Sequence, residues 1–402
     1  MHPQDLSIHD YTYDLPEDRI ARQPLAERDA SRLLVHRNGH IEDHRFQELP
    51  GLIPPGALLV LNETRVVRAR IHFRRATGAG LECMVLAPED GRPMETALLD
   101  KGCTRWWCMM GNAKRWKGEE LTATVDGTAL NATRTAQRNG EHLIEFGYDP
   151  ALPFVEVLKR VGTVPLPPYM RREAMPSDIT RYNTVFATQD GSIAAPTASL
   201  HFTEALLAQA RHQGIHTTSL TLHVGAGTFL PVKADHMADH VMHTEQVSIP
   251  LAALLELREH LGRGAIIPVG TTALRTLESI HWHGAALLCG RGSATMQVGQ
   301  WEPYGRDGEG PTAAQSLDAV IAQVEHAGGP LTGHTALLIA PGYQFRFADG
   351  LITNFHQPQS TLLLLVAAFV GPTWRDMYGH ALKHGYRFLS YGDASLLLRP
   401  SG

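Results

Sequence analysis

The sequence predicts an α/β main domain interrupted by a small all-β unit. Three observations predict it. Between about Val67 and Tyr148, short β-type runs are separated by turns and no helical period emerges. After residue 150, strands alternate with capped amphipathic helices. The 402 residues also suffice for two domains at roughly 100–200 residues each. The expected partition is residues 1–66 plus 149–402 for the main domain and 67–148 for the inserted unit, a barrel or a sandwich.

Near the N-terminus, Ser31-Arg-Leu-Leu-Val35 reads as a strand, Asn38-Gly39 as a tight hairpin turn and His40-Ile41 onward as the return strand. Residues 49–56 form a Pro- and Gly-rich rigid connection into a buried strand, Ala57 to Leu61. The inserted unit takes its strands from Leu81–Leu86, Arg105–Met110, Leu121–Val125 and His142–Phe146. Thr203 then caps a helix with Leu206, Leu207 and Ala210 on one face, closed by Gly214. Ile215 to Val224 reads as a strand. Pro250 starts a helix with Leu251, Leu254, Leu255 and Leu261 inward, ended by Gly262. A strand at Ala265 to Gly270 runs into a helix at Thr271-Thr272. Ala336 to Ala340 reads as a strand, Thr361 to Val370 as a buried helix, and Tyr386 to Asp393 as a strand and turn. The Gly-rich middle of 290–330 is expected to be mobile.

Composition bounds the class. Hydrophobic content of 43% with 19% charged residues places the chain among globular proteins. A net charge of -5 excludes a coat of basic charge but leaves room for a local basic groove. The N-terminus lacks a basic stretch followed by an apolar run, so no secretory signal is expected. The longest apolar run, Leu362 to Gly371, falls short of the roughly 20 residues that span a bilayer. A cytoplasmic address is expected. Cys83, Cys103, Cys108 and Cys289 lack zinc or redox spacing and are expected to be reduced and structural.

Three polar, Gly- or Pro-punctuated strings read as loops of one site. The first is Gly191-Ser-Ile-Ala-Ala-Pro-Thr197-Ala-Ser-Leu-His201-Phe-Thr203, whose small residues allow close backbone approach to a ligand. The second is Thr221-Leu-His223-Val-Gly225-Ala-Gly227-Thr-Phe229. The third is Asn354-Phe-His356-Gln-Pro-Gln-Ser360-Thr361. Gly225 and Gly227 begin like a dinucleotide fingerprint, but the third glycine is missing and Pro231 stands at the expected helix start, leaving a site-lining loop or a plain turn. His236, His240 and His243 would share a helix face with zinc-like spacing, yet no cysteine or carboxylate arrangement supports a metal, and none is expected. Gly270-Thr271-Thr272-Ala-Leu-Arg275 offers hydroxyls and free N–H groups at a helix start, where an anion is favoured; the alternative is an ordinary capped helix with an Arg275–Glu278 pair. Glu245 sits at an element boundary as a usable base or a surface charge. His356 is either a site group or a loop histidine bonded to backbone, and Asp393 either an acid or a turn residue. Trp106, Trp107 and Trp116 interleave with Arg105, Lys114, Arg115 and Lys117, a pattern that meets RNA or marks a core flanked by solvated cations. A second basic cluster, Lys159, Arg160, Arg171, Arg172 and Arg181, surrounds Pro165-Leu-Pro-Pro-Tyr169. No P-loop, nucleophile elbow or H-E-x-x-H string is present.

Taken in order, these strings resemble the S-adenosylmethionine:tRNA ribosyltransferase-isomerases of queuosine biosynthesis. Further matching stretches are Tyr13-Asp-Leu-Pro-Glu17, Asp29-Ala-Ser-Arg-Leu-Leu-Val35, Leu58-Leu-Val-Leu-Asn62-Glu-Thr-Arg65, Tyr182-Asn-Thr-Val-Phe-Ala187, His240-Val-Met-His-Thr-Glu245 and Ala340-Pro-Gly-Tyr343. The resemblance implies an α/β domain interrupted by a β-barrel. It also implies transfer and isomerisation of the ribosyl part of S-adenosylmethionine onto a 7-aminomethyl-7-deazaguanine at the tRNA wobble position, with adenine and methionine released. S-adenosylmethionine is then a consumed substrate, no cofactor is expected, and tRNA is the partner of an enzyme expected to be monomeric.

Under that resemblance, Glu245, His356, His201 and Asp393 are the candidate catalytic groups, with Glu245 or His356 as the base. Thr197, Thr203, His223, Gly225, Gly227, Thr271, Thr272, Arg275, Asn354 and Ser360 are the candidate substrate-binding set, Arg275 with Thr271 and Thr272 holding the methionine carboxylate. Arg65, Lys114, Arg115, Trp116, Arg171 and Arg172 are the candidate RNA contacts. The chain departs from the family pattern at Glu63, Thr244 and Gln357 and in its Trp-rich β unit, which marks a divergent branch. An enzyme using S-adenosylmethionine on another acceptor, and an RNA-binding protein without catalysis, are the competing readings.

Overall fold

The computed structural model describes residues 2–400 apart from 76, 226, 228–231, 233 and 306–309. Its main layer is a six-stranded mixed sheet in the order Ile266–Pro268, Leu58–Asn62, His216–His223, Glu245–Ile249, Leu331–Thr335, Met296–Val298. The first three strands are parallel. All five residues of Leu58–Asn62 are buried, as a strand covered on both faces requires. The Thr271–Leu288 helix packs on this sheet and against the Ala313–Ala327 helix. A four-stranded sheet, Gly350–Asn354, Ala394–Leu398, Arg32–Arg37, His40–Arg45, lies alongside. The two sheets meet at a bridge between Val269 and Ile352.

Six antiparallel strands between Arg70 and Tyr148 close into a barrel, sealed where Arg74 pairs with Thr122. Its core holds Trp106, Phe146, Cys83 and Cys108, and extends to Phe154, Leu158 and Val161 of the Phe154–Val161 helix. The cysteines are free; Cys103 and Cys289 are exposed. Alternation of buried and exposed residues along Cys103–Gly111 and Thr128–Arg138 is the period-2 signature of a one-sided strand.

Local chemistry sets the boundaries. Asn38 and Gly39 both take positive φ, 51° and 79°, which a two-residue hairpin turn demands. The Thr203 hydroxyl accepts from Leu206 N–H and starts the Glu204–His212 helix. Several expectations are corrected. Leu255 is 46% exposed, because the Leu251–His260 helix buries Ala253, Leu254 and Leu257 instead. The strand near 336–340 is Leu331–Thr335, since its pairing with Glu245–Ile249 ends at Thr335; Ala336 and Leu338 then bond to Val298 and Gln300. Residues 386–393 form a turn with Leu389 at φ 68°, and the strand begins at Ala394. Within 290–330, Ala313–Ala327 is a regular helix with a Thr312–Gln315 capping box, while 306–309 lie outside the described residues. His236 bridges Ser7 in extended conformation and only Met237–Asp239 coil, so the three histidines share no helix face.

Candidate active site

A cleft opens at the carboxyl ends of the parallel strands, where ligands bind in open α/β sheets. It is lined by residues 194–198, Val224, Gly270–Thr272, Thr353, Asn354, His356, Gln357, Ser360 and Leu362, with Tyr169, Tyr182, Leu389 and Ser390 completing the wall. Main-chain bonds bring these segments together. Gly270 N–H donates to Ile352 C=O at 2.7 Å, and Ile193 N–H to Val224 C=O at 3.0 Å.

The Thr271–Leu288 helix starts in this cleft. Gly270, at φ 93°, supplies no capping side chain. The first bond back to Gly270 C=O comes from Leu274, so the N–H groups of Thr271, Thr272 and Ala273 have no carbonyl within the helix. Such an end favours an anion. Asn62 fixes it from below: its amide donates to Leu222 C=O at 3.0 Å and to Thr272 Oγ1 at 3.4 Å, and its oxygen accepts from Leu222 and Thr64 N–H.

A second network enters from the side. Thr197 Oγ1 donates to Asn354 Oδ1 at 2.8 Å. Asn354 Nδ2 donates to His201 Nε2 at 3.2 Å and to Asp393 C=O at 3.4 Å. His201 Nδ1 lies 2.8 Å from Ser31 Oγ. An amide that donates to Nε2 places the imidazole proton on Nδ1. Burial holds His201 down at about 4. His356, also lining the cleft, is held at about 3 by burial, with Nε2 2.9 Å from Thr353 Oγ1. Its peptide is clamped: Tyr13 hydroxyl donates to the His356 carbonyl, and His356 N–H donates to Tyr378 Oη at 3.1 Å. Ser360 caps the Thr361–Val370 helix through Leu363 N–H.

Other expected residues lie elsewhere. Glu245 and Arg275 form a buried ion pair at 2.6 Å, and Arg275 Nε donates to Leu337 C=O at 3.1 Å; neither lines the cleft. The i, i+3 pairing of Arg275 with Glu278 is not formed. Glu278 instead accepts from Tyr343 and from the N–H groups of Arg346, Phe347 and Ala348. Asp393 accepts from Arg32 and Arg387 N–H at 2.9 and 2.7 Å, a turn residue whose carboxyl is pushed up by burial. Thr203 is a helix cap bonded to Asp29. His223 faces a different cleft, between Thr64 Oγ1 at 2.8 Å and Glu95 at 2.7 Å, while its neighbour Val224 lines the first. Gly225 is partly buried. Gly227 lies against the His243 ring, where a Cβ would come within 2.1 Å. Ala226, Thr228 and Phe229 fall outside the described residues.

The candidate RNA contacts are dispersed. Arg65 donates to Ala187 C=O and sits 3.8 Å from Asp190. Arg171 pairs with Glu17 and Arg172 with Asp178. Lys114 and Arg115 are exposed on the barrel, but Trp116 is buried, its indole donating to Glu119 C=O at 2.8 Å. Trp107 is partly buried, and the Arg138 guanidinium lies 3.7 Å above its ring. Among the described residues no group of three or more His, Cys, Asp or Glu is arranged to hold a metal, and no helix is long and apolar enough to cross a membrane. The sequence reading missed Tyr182, Leu389 and Ser390; the rigid Pro-Leu-Pro-Pro string before Tyr169 was the available signal for that wall.

A sequence profile described as queuosine biosynthesis protein matches residues 8–397. A relative from Moorella thermoacetica, named S-adenosylmethionine:tRNA ribosyltransferase-isomerase, is 40% identical over 398 residues, covering 98% of this chain and 100% of that protein. One from Azoarcus sp., of the same name, is 41% identical over 397 residues, covering 98% of each chain. A crystal structure of S-adenosylmethionine tRNA ribosyltransferase from Thermotoga maritima is 28% identical, covering 97% of this chain and 100% of that one, with a TM-score of 0.47.

Proposed function

This chain belongs to the queuosine biosynthesis protein family, and on that premise we propose that it is an S-adenosylmethionine:tRNA ribosyltransferase-isomerase. It modifies tRNA in the queuosine pathway. In this reading the acceptor is the 7-aminomethyl group of a 7-deazaguanine at the wobble position, the product is epoxyqueuosine-tRNA, and adenine and methionine leave. S-adenosylmethionine is consumed, the scheme calls on no cofactor, and the enzyme works as a cytoplasmic monomer. Residues 67–148 are read as a barrel unit inserted into the domain formed by 1–66 and 149–402.

The observation that carries the site is the convergence of the 194–198, 270–272 and 353–360 segments on one cleft. The open N–H groups at Thr271, Thr272 and Ala273 would receive the methionine carboxylate. Arg275, neutralised by Glu245, acts as a strut behind that helix end. Tyr169, partly exposed in the wall, would bring an aromatic ring to the sulfonium. Thr197 Oγ1, its proton given to Asn354, would accept from a ribose hydroxyl.

His356 carries the proton. The sulfonium acidifies the C5′ hydrogens, and the neutral imidazole accepts one of them. A site that disfavours imidazolium makes the ring a weak base and the resulting cation a strong acid, so the cation forms only in step with the proton's onward transfer. It therefore gives the proton up to the departing adenine. The tyrosine clamp on its peptide keeps the ring in place through both transfers. His201 holds Asn354, and Asp393 holds the 387–393 turn.

The test is incubation with S-adenosylmethionine and tRNA bearing 7-aminomethyl-7-deazaguanine, followed by chromatography for adenine and mass spectrometry of the tRNA nucleosides. Free adenine with a heavier nucleoside is expected. His356→Ala should lose about 10²- to 10⁴-fold in turnover, the range of a removed acid–base group. No adenine from the wild-type protein would end the reading, and release only with another acceptor would move it to that substrate.

A further inference from the structure

Arg28 and Arg181 stand apart from the arginines around them. Arg22 and Arg171 pair with Glu17, and Arg172 pairs with Asp178. Arg28 and Arg181 have no carboxylate partner among the described residues. Arg28 donates to Leu200 and Thr180 carbonyls at 3.1 and 2.8 Å, and Arg181 to Ala26 and Leu25 carbonyls at 2.8 and 2.6 Å. Neutral carbonyls fix the two forks but leave both charges uncancelled. Arg181 Nε is buried with no hydrogen-bond acceptor. The carboxylate on this face, Asp178, is already bound by Arg172 in a two-point contact, by the Tyr391 hydroxyl and by Met175 N–H. The two like charges also oppose each other, since Arg28 is lowered first by burial and then by Arg181.

Between them lies a small pocket, walled by Arg28, Ser31, Arg181, His201, Ser390 and Tyr391, with a volume of about 20 Å³. That volume admits one water-sized oxygen. Ser390 also lines the active cleft and so borders both spaces. Two guanidiniums converging on a one-oxygen recess beside a nucleotide-handling cleft match the geometry of phosphate recognition.

We propose that Arg28 and Arg181 bind a backbone phosphodiester of the RNA substrate, next to the nucleotide whose base enters the cleft. The inference rests on the function proposed above and deepens it. One non-bridging oxygen enters the recess and accepts from the terminal N–H groups of Arg28 and Arg181 that the carbonyls leave free. The contact carries no base information and sets the register of the RNA.

The experiment measures binding of an anticodon stem-loop RNA across a salt series, with S-adenosylmethionine affinity as the check on folding. Arg28→Gln and Arg181→Gln should each bind RNA about tenfold more weakly and lower the slope of log K against log salt by about 0.7–0.9, the value of one phosphate contact. Arg28→Lys and Arg181→Lys should retain the slope. A single methylphosphonate beside the target nucleotide should reproduce the loss in the wild-type protein and add nothing in the Gln variants. That wild-type measurement stands even where a variant fails to fold. Inorganic phosphate should compete weakly, at millimolar concentration; tight inorganic phosphate binding with no methylphosphonate effect would assign the recess to a free anion and overturn the proposal. Unchanged slopes with intact S-adenosylmethionine binding overturn it as well. Wild-type protein that binds no RNA overturns the parent function instead, so the two failures are distinguishable.

Discussion

Glu245 Oε2 lies 2.6 Å from Arg275 Nη1, with both side chains buried. The pair joins the Glu245–Ile249 strand to the Thr271–Leu288 helix one turn behind its open end. A carboxylate and a guanidinium that neutralise each other there position the helix end rather than touch substrate.

Replacing Glu245 by Gln should therefore act first on stability. Removing one partner of a buried ion pair costs about 3–5 kcal/mol, because the other charge is left uncompensated. Glu245→Gln/Arg275→Met should recover much of that loss. Urea unfolding of the single and double variants measures it. A Glu245→Gln protein of native stability with abolished turnover would return Glu245 to the chemistry.

His201 and His356 predict an acid-sensitive fold. Both are held below the ordinary histidine value, to about 4 and about 3, by burial. Below about pH 6.5 the unfolded chain binds protons that the folded chain refuses, so stability falls with pH until the folded values are reached. Each histidine contributes a loss of up to about 1.4 kcal/mol per pH unit in that window. Urea midpoints from pH 7.5 to 4 should fall steeply below 6.5, and His201→Asn should flatten the curve. A flat profile would show that neither ring is held neutral.

Gly270→Ala should weaken S-adenosylmethionine binding. A methyl group there meets nothing closer than 3.7 Å, so space is available. The cost is the φ of 93°, roughly 1–2 kcal/mol for an L-residue. Relief of that strain would turn the open N–H groups out of line. Calorimetry should show Kd raised several-fold, with RNA affinity unchanged.

Trp116 and its cationic neighbours should separate cleanly. Trp116→Ala empties a site in the barrel core and should cost about 3–5 kcal/mol. Lys114→Ala/Arg115→Ala should leave stability within about 0.5 kcal/mol. Thermal melts distinguish them; a Trp116→Ala protein with native Tm would place the indole outside the core.

Much of the architecture was legible in local signals. Asn38-Gly39, the Thr203 cap, Pro250 and the Gly270-Thr271 start each dictate their own backbone. The three polar strings pointed to one cleft, and Thr197, Thr271, Thr272, Asn354, His356 and Ser360 do meet there. What local pattern could not reveal was pairing at a distance. Glu245 finds Arg275 30 residues on, and Arg275 is thereby turned from Glu278, which four donors from residues 343–348 already satisfy. His223 and Val224 line different clefts because successive residues of an extended chain point to opposite sides. The 386–393 run reads as a strand and then a turn, but Leu389 at positive φ makes all of it turn and delays the strand to Ala394.

The Leu58–Asn62 strand has one more consequence. Both of its neighbours in the sheet, His216–His223 and Ile266–Pro268, lie far downstream in the chain. At about 5–20 residues per second, the ribosome leaves this mostly apolar segment waiting many seconds for either neighbour. The barrel, made of strands that follow one another closely, can close during that interval. Translation order thus puts the barrel before the main sheet, and residues 58–62 stay unpaired in that sheet until residues 216–223 have emerged.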